Sequence, residues 1–362
     1  MKKIFTIPIL LLGWIFICSF SINNGGIKLY KIGEEIEFDT IPYMYDDLHF
    51  AQAYDEIVRM LEGKDSISFK RSEFLVEWAY LKGELSYENY CHDIDSVVQI
   101  LRNFIYLNGL QQYKTAGNFA LFEYFTKPNL LNNNKPFKYD FEDFTGAKDF
   151  SKLFITKVLK THTGQCTSLP MYYKILSDEL GSESFLALAP NHMYIKHLAE
   201  NGKWVNIELT NGHFATDAWM ISSMDISAEA IKNRVYLDAL DEKQTIAHML
   251  CHLSVAYQRK YGYDQFTLNC ANTALKYFPH SLQALIIKYN TLQAFGIKYI
   301  EKYGKVPSNY IRNNYTVFKA TENFIDNLGY RELSSENYEK WLISMEDEKE
   351  KQRQEANLNS EK

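Results

Sequence analysis

Residues 192–210 read HMYIKHLAENGKWVNIELT. Two strand-like runs flank Asn201-Gly202, the dipeptide that most strongly favours a tight turn between antiparallel strands. The first run alternates and the second, WVNIELT, returns as a strand. A short apolar run, SFLALA (184–189), precedes them. Upstream, residues 165–180 carry Leu169, Tyr172, Tyr173, Leu176 and Leu180 on one helical stripe, and Gly181 is a fitting C-terminal cap. The order helix, strand, strand, tight turn, strand predicts an α+β fold with a helix packed on an antiparallel sheet.

Both flanks of this segment are helical in pattern. From about 45 to 126, Leu48, Ala51, Tyr54, Ile57 and Leu61 recur at three- and four-residue steps, as do the apolar residues of SEFLVEWAYLKGE and DSVVQILRNFIYL. LLNNNKPFKYD (130–140) breaks any helix and reads as a connector. From 244 to about 300 the helical pattern returns, and LSVAY (253–257) with ALKYFP (274–279) resembles the two halves of a tetratricopeptide unit, Ser254 standing where that family prefers glycine. About one and a half such units are visible, too few for a free solenoid, so these helices are expected to pack against the middle domain. Lys2 and Lys3 precede the uncharged run IFTIPILLLGWIFICSF, with Ser19 and Ser21 at the small-residue positions of a cleavage site. That is the layout of a secretory signal peptide, with an uncleaved anchor or a lipid on Cys18 as alternatives. The expected organisation is a signal peptide (1–21), a mostly helical region (22–130), an α+β domain (140–225), a second helical region (240–345) and a charged tail (346–362).

Composition sets limits. Of 362 residues, 46% are hydrophobic and 23% charged, as in globular chains, and the net charge of −6 comes without a Lys/Arg run that would suggest nucleic acid. Beyond the leader, Cys91, Cys166, Cys251 and Cys270 form neither a disulfide framework nor a CxxC or zinc-finger pattern. Cys251 and Cys270 fall in apolar helical patterns and read as core sulfurs.

Cys166 is different. Pro170 follows it, and proline is tolerated only in the first turn of a helix, so the helix must begin close to Cys166, with Thr167 or Ser168 available as caps. A thiol at a helix N-terminus faces unpaired amides and the positive end of the dipole, which favour a thiolate. The competing reading is a small buried residue at a helix start. His192, opening the hairpin after APN, is the candidate base; His197 should point to the opposite face, and His162 and His213 lie in loops. Asn206 and Glu208 share one face of the returning strand and are candidates to orient the imidazole. A two-residue turn at Asn201-Gly202 pairs Glu200 with Lys203 and Ala199 with Trp204, leaving Glu208 near His192 but not directly across from it.

Together, Gly164-x-Cys166 with Thr167 behind it, His192 followed by Tyr194, and Trp204 followed by Glu208 and Thr210 resemble the transglutaminase-like superfamily, the papain-related thiol fold. The resemblance covers about residues 145–220. It implies a papain/transglutaminase-like core and acyl transfer through a thioester on Cys166, with His192 as base and Glu208 as the orienting acid, a position where the family usually has Asp. A tetratricopeptide-like region C-terminal to such a core also fits the superfamily. It implies no metal or organic cofactor, and a peptide or protein substrate, cell-wall peptide included; the C-terminal helices could engage a protein partner. A non-catalytic peptide- or glycan-binding scaffold of the same fold, for which the 26 tyrosines could line a groove, is the alternative. A zinc site built from Cys166, His192 and Glu208 is a further one.

Overall fold

The computed structural model describes residues 47–331 and a few helical positions between 343 and 354. The proposed signal peptide, the lead-in to residue 46 and most of the charged tail lie outside the described residues. Among the described residues no helix is long and apolar enough to cross a membrane.

The chain opens with four helices, α1 (Leu48–Leu61), α2 (Phe69–Tyr80), α3 (Tyr87–Leu107) and α4 (Ala116–Thr126). Asp47, Ser68 and Ser86 cap the first three, each accepting a first-turn amide. The 130–140 stretch, expected as a bare connector, holds a single 3₁₀ turn and ends in a short strand, β1 (Lys138–Tyr139). After α5 (Ile155–Thr161), β2 (Thr163–Gly164) pairs with β1 in parallel, Tyr139 against Gly164. Next comes α6 (Ser168–Leu180), then four strands: β3 (Phe185–Ala189), β4 (His192–Leu198), β5 (Trp204–Glu208) and β6 (His213–Ala215). They form one antiparallel sheet in sequence order. Two short helices, α7 (Asp217–Ser223) and α8 (Ala228–Lys232), lead to α9 (Glu242–Tyr261), α10 (Gln265–Tyr277), α11 (Leu282–Tyr303) and α12 (Asn309–Asn327). The fold is mixed, mostly helical with small sheets, as α+β patterning predicts.

Three expectations change. The sheet has a fourth strand, because His213 sits in β6 rather than a loop. The β4–β5 hairpin closes through three residues, Glu200 to Gly202, with the Gly202 amide bonded to the Ala199 carbonyl and Gly202 at φ +76°. Leu198 therefore opposes Trp204, one residue off the register of a two-residue turn. And β4 is not half-exposed: Met193 to His197 are all buried, because both faces of the strand are covered. The α6 stripe likewise broadens into a helix whose first turns are buried nearly all round, from Leu169 through Tyr172 and Tyr173 to Leu176.

One hydrophobic cluster runs from Phe50 in α1 to Leu328 after α12. The last four helices stack in order, and α9 also packs on α1 and α2. Phe50 meets Tyr257 and Phe266 edge-on at ring separations of 5.2 and 6.0 Å. Leu253, Tyr257, Ala274 and Leu285 are buried, as their periodicity predicts. Cys251 and Cys270 are buried free thiols. Removing residues 244–362 strips α1 and α2 of this cover, so the truncated chain is expected in the pellet on expression; soluble, monodisperse protein by gel filtration would contradict that packing.

A buried carboxyl pair joins α2 to the segment leading into α6. Glu73 and Glu77 are 2% and 1% exposed. Glu77 accepts from the Ile155 amide and from the Thr156 amide and hydroxyl, serving the α5 start that has no side-chain cap of its own. The Tyr90 hydroxyl donates to Glu73 at 2.6 Å. Burial, then the neighbouring Glu77, pushes the Glu73 carboxyl well above the ordinary range. With its folded value above its unfolded one, the stability this group contributes is complete below about pH 4.3 and is lost as pH rises. Glu73→Gln, which keeps an acceptor for Tyr90, is expected to stabilise the protein at pH 8 by about 1–4 kcal/mol and far less at pH 4, measured as urea midpoints. Equal shifts at both pH values would refute the proton count.

Candidate active site

The candidate residues converge from three elements. Gly164 ends β2, and a Cβ there would lie 2.8 Å from the Leu169 side chain and the Ser168 hydroxyl, so glycine lets the chain turn tightly from β2 into α6. Gln165 is fully buried in that turn. Its amide donates to the Ser168 hydroxyl at 2.9 Å, and the hydroxyl donates on to Gln165 Oε1 at 3.1 Å. Gln165 Nε2 has no partner. Cys166 follows, partly exposed, just before α6.

The expectation that Thr167 or Ser168 caps α6 is not met. Thr167 occupies the cap position without a side-chain hydrogen bond, and Ser168 turns back to Gln165. At the α6 start the Leu169 amide bonds the Gln165 carbonyl at 3.1 Å and Pro170 has no N–H, so only the amides just after Cys166, those of Thr167 and Ser168, are without a side-chain acceptor.

His192 opens β4 directly after Asn191, which takes the left-handed conformation at φ +53°, tolerable for Asn at modest cost. The Asn191 carbonyl is 3.8 Å from Cys166 Sγ. The Cys166 thiol and the His192 imidazole act on each other electrostatically, the sulfur helping to raise the imidazole pKa. Its Nε2 is 2.5 Å from Glu208 Oε2, which leaves Nδ1 as the nitrogen for the sulfur. The other Glu208 oxygen accepts from the Thr210 amide at 2.9 Å and the Thr210 hydroxyl at 2.6 Å. Between the two candidates for orienting the histidine, the geometry selects Glu208: Asn206 Nδ2 bonds Asp217 at 2.7 Å instead. His197 is buried on the other face, opposite Val205, with Phe119, Phe122 and Phe214 around it. His162 stacks on Phe137 at 4.5 Å, away from this group.

The electrostatics follow from burial and pairing. The His192 side chain is 12% exposed and that of Glu208 2%. Burial alone would lower the imidazole pKa, but the Glu208 charge, aided by the thiol, raises it to about 10. Burial would raise the Glu208 carboxyl, yet the His192 charge and the Thr210 hydrogen bonds hold it below its ordinary value. Both directions describe one carboxylate–imidazolium pair.

Tyr139 is a residue that sequence patterning did not single out. β1 is two residues long, and nothing in LLNNNKPFKYD marks it as a strand partner of β2. The pairing sets Tyr139 beside Gly164, two residues before Cys166. Burial first, then the nearby sulfur and Glu208, pushes its phenol well above the usual range, so it stays a donor.

Among the described residues no three His, Cys, Asp or Glu side chains form a group able to hold a metal ion. The arrangement offers a partly exposed sulfur, an imidazole that can exchange a proton with it, a carboxylate that fixes the imidazole tautomer, and the Thr167 and Ser168 amides at a helix start. Comparison with models of protein families, with curated proteins and with solved structures finds no match to this chain.

The His192–Glu208 pair has a pH signature. A histidine whose folded pKa is raised to about 10 contributes stability that is complete below about pH 6.5 and lost as pH climbs through 10. Glu208→Gln is expected to destabilise by about 3–5 kcal/mol at pH 6, with the penalty shrinking toward pH 10. NMR titration of the His192 ring should show its pKa falling in the variant; an unchanged titration would overturn the pairing.

Proposed function

We propose that this chain is a thiol enzyme of the transglutaminase-like kind, built on a papain-like core, that acts on amide or peptide bonds through a thioester on Cys166. The observation that carries the proposal is the Cys166–His192–Glu208 constellation: Cys166 Sγ lies 3.8 Å from the carbonyl of Asn191, the residue before His192, and the His192 Nε2 is 2.5 Å from a buried carboxylate. Those contacts match the three roles such chemistry needs. The Cys166 sulfur attacks the carbonyl carbon, and its proton rests on His192. The tetrahedral intermediate collapses as the imidazolium protonates the leaving amine, which gives a thioester and a neutral imidazole. Water or a second amine, deprotonated by His192, then releases the acyl group and restores the thiol. Backbone amides at the α6 start, those of Thr167 and Ser168 among them, would hold the developing oxyanion.

The partners proposed are peptide or protein substrates, cell-wall peptide among them, with the α9–α12 helices available to a protein partner. The chemistry calls for no metal or organic cofactor. Export remains the proposal for location, and it rests on the twin lysines, apolar run and small-residue cleavage site at the N-terminus.

The test is acyl capture. An activated ester such as p-nitrophenyl acetate should acylate Cys166 selectively, read by peptide mass, while Cys91, Cys251 and Cys270 stay unmodified. Cys166→Ala should abolish the adduct, and His192→Ala should slow its formation by about 10²–10⁴. Acylation of Cys91 as fast as Cys166, or indifference to His192→Ala, would leave the scaffold reading in its place.

A further inference from the structure

We propose that the slot between α4 and the β4–β6 part of the sheet is a binding site for a small aromatic molecule carrying a ring N–H or O–H donor, of the indole or phenol class. It lies on the face of the sheet opposite His192 and Glu208, and the inference does not depend on the thiol chemistry.

The slot exists because α4 is held against the sheet at both ends and not between them. At one end Glu200, in the hairpin loop, accepts from the Thr115 amide and hydroxyl, each at 2.8 Å, and fastens the loop to the start of α4. At the other end Gly212 approaches Thr126 so closely that a Cβ there would stand 3.1 Å from the Thr126 methyl. Helix α4 spans about 16 Å between these points. There a cavity of about 420 Å³ opens, within the roughly 300–1,000 Å³ range of small-molecule sites. Val205 and Ile207 line it from the sheet and Phe119 from the helix. Phe122 and Phe214 stack at 4.5 Å between ring centroids, a pair that bridges from helix to sheet. Phe119 and Phe214 are 48% and 58% exposed, so large apolar rings stand at the mouth with water as their neighbour.

The lining also carries one polar atom that is not spent. His197 is 6% exposed, and its Nδ1 is 3.1 Å from the Leu198 carbonyl. A carbonyl can only accept, so Nδ1 holds the proton. Burial among apolar groups lowers the imidazole pKa and keeps the ring neutral. Nε2 is then a bare acceptor, and it has no hydrogen-bond partner among the described residues. Asn118, the other buried polar side chain of the lining, is fully engaged. Its Nδ2 donates to the Glu183 carbonyl at 3.0 Å, and its Oδ1 accepts from the Tyr173 hydroxyl at 3.1 Å. An aromatic ring with one donor fills the space and pairs Nε2. A plain hydrocarbon ring leaves Nε2 unpaired, and a carboxylate-bearing one meets the Glu200 charge at the rim.

The test is titration of the full chain with indole, read by calorimetry and by nitrogen NMR of the histidine side chains. Indole should bind saturably and shift His197 Nε2 upfield as that nitrogen accepts the ring N–H, with His192 unmoved. 1-Methylindole, which keeps the ring and lacks the N–H, should bind about two- to tenfold more weakly and leave Nε2 in place. Phe214→Ala, at an exposed position, should weaken indole binding by a similar factor with no change in urea midpoint. Equal affinity for the two indoles with His197 unmoved would refute the proposal, as would the absence of saturable binding by both indole and phenol. Binding of a tryptophan-containing peptide where free indole fails would also refute it, and would make the slot a peptide-docking surface instead.

Discussion

The alignment of β4 against β5 decides which side chains can meet at the sheet's end. In an antiparallel pair a one-residue slip turns every side chain of one strand to the other face. Here Ile195 opposes Ile207 and Lys196 opposes Asn206. Both isoleucines are fully buried in the hydrophobic cluster, whereas Lys196 and Asn206 meet Asp217 on the other face. The alternative register would send one of each pair to the wrong side. His192 and Glu208 fall on the Lys196 face by the same parity, so their contact follows from packing the isoleucines. The three-residue loop with Gly202 at φ +76° is the local device that permits this register.

A second constraint lies in how the helices begin. Asp241 and Asp264 close capping boxes on α9 and α10, and Ser281 and Ser308 cap α11 and α12. A side-chain cap is worth about 1 kcal/mol. Helix α5 lacks one and receives the Glu77 carboxylate from α2. Helix α6 lacks one as well, and it receives no such acceptor: Ser168 is engaged with Gln165 and Thr167 makes no cap bond. Burial of Leu169, Tyr172, Tyr173 and Leu176 offsets the loss many times over, at about 1.5–3 kcal/mol for a large apolar side chain. The uncapped end is therefore tolerated beside the half-buried Cys166 thiol.

Much of this was legible in the sequence, and the limits have physical causes. Pro170 and Gly181 bracketed α6 because each acts on its own backbone. The helices and their inward residues followed from periodicity. The hairpin was legible but its loop length was not, since Asn201-Gly202 suits a two-residue turn and equally a three-residue loop closed by glycine. That single residue governs which β5 position faces His192, so the sequence kept Asn206 as a fallback to Glu208 where the structure separates them. β6 and β1 escaped because strands of two or three residues carry no period. Tyr139 escaped with β1: its place depends on a pairing 25 residues away, from Tyr139 to Gly164, that no local pattern encodes.

The carboxylate's identity has a geometric reason as well. In the observed register the β5-side position across from His192 is Thr210, beyond the last paired residue, and Glu208 lies two residues back on the same face. Diagonal neighbours of this kind stand about 7–8 Å apart between backbones, a gap that a short acid bridges poorly and a Glu bridges with one methylene more. Thr210 completes the arrangement: its amide and hydroxyl hold Oε1, which turns Oε2 toward Nε2 of His192. The glutamate that departs from the resemblance at this position is thus the acid the register calls for, and the threonine two residues on is what orients it.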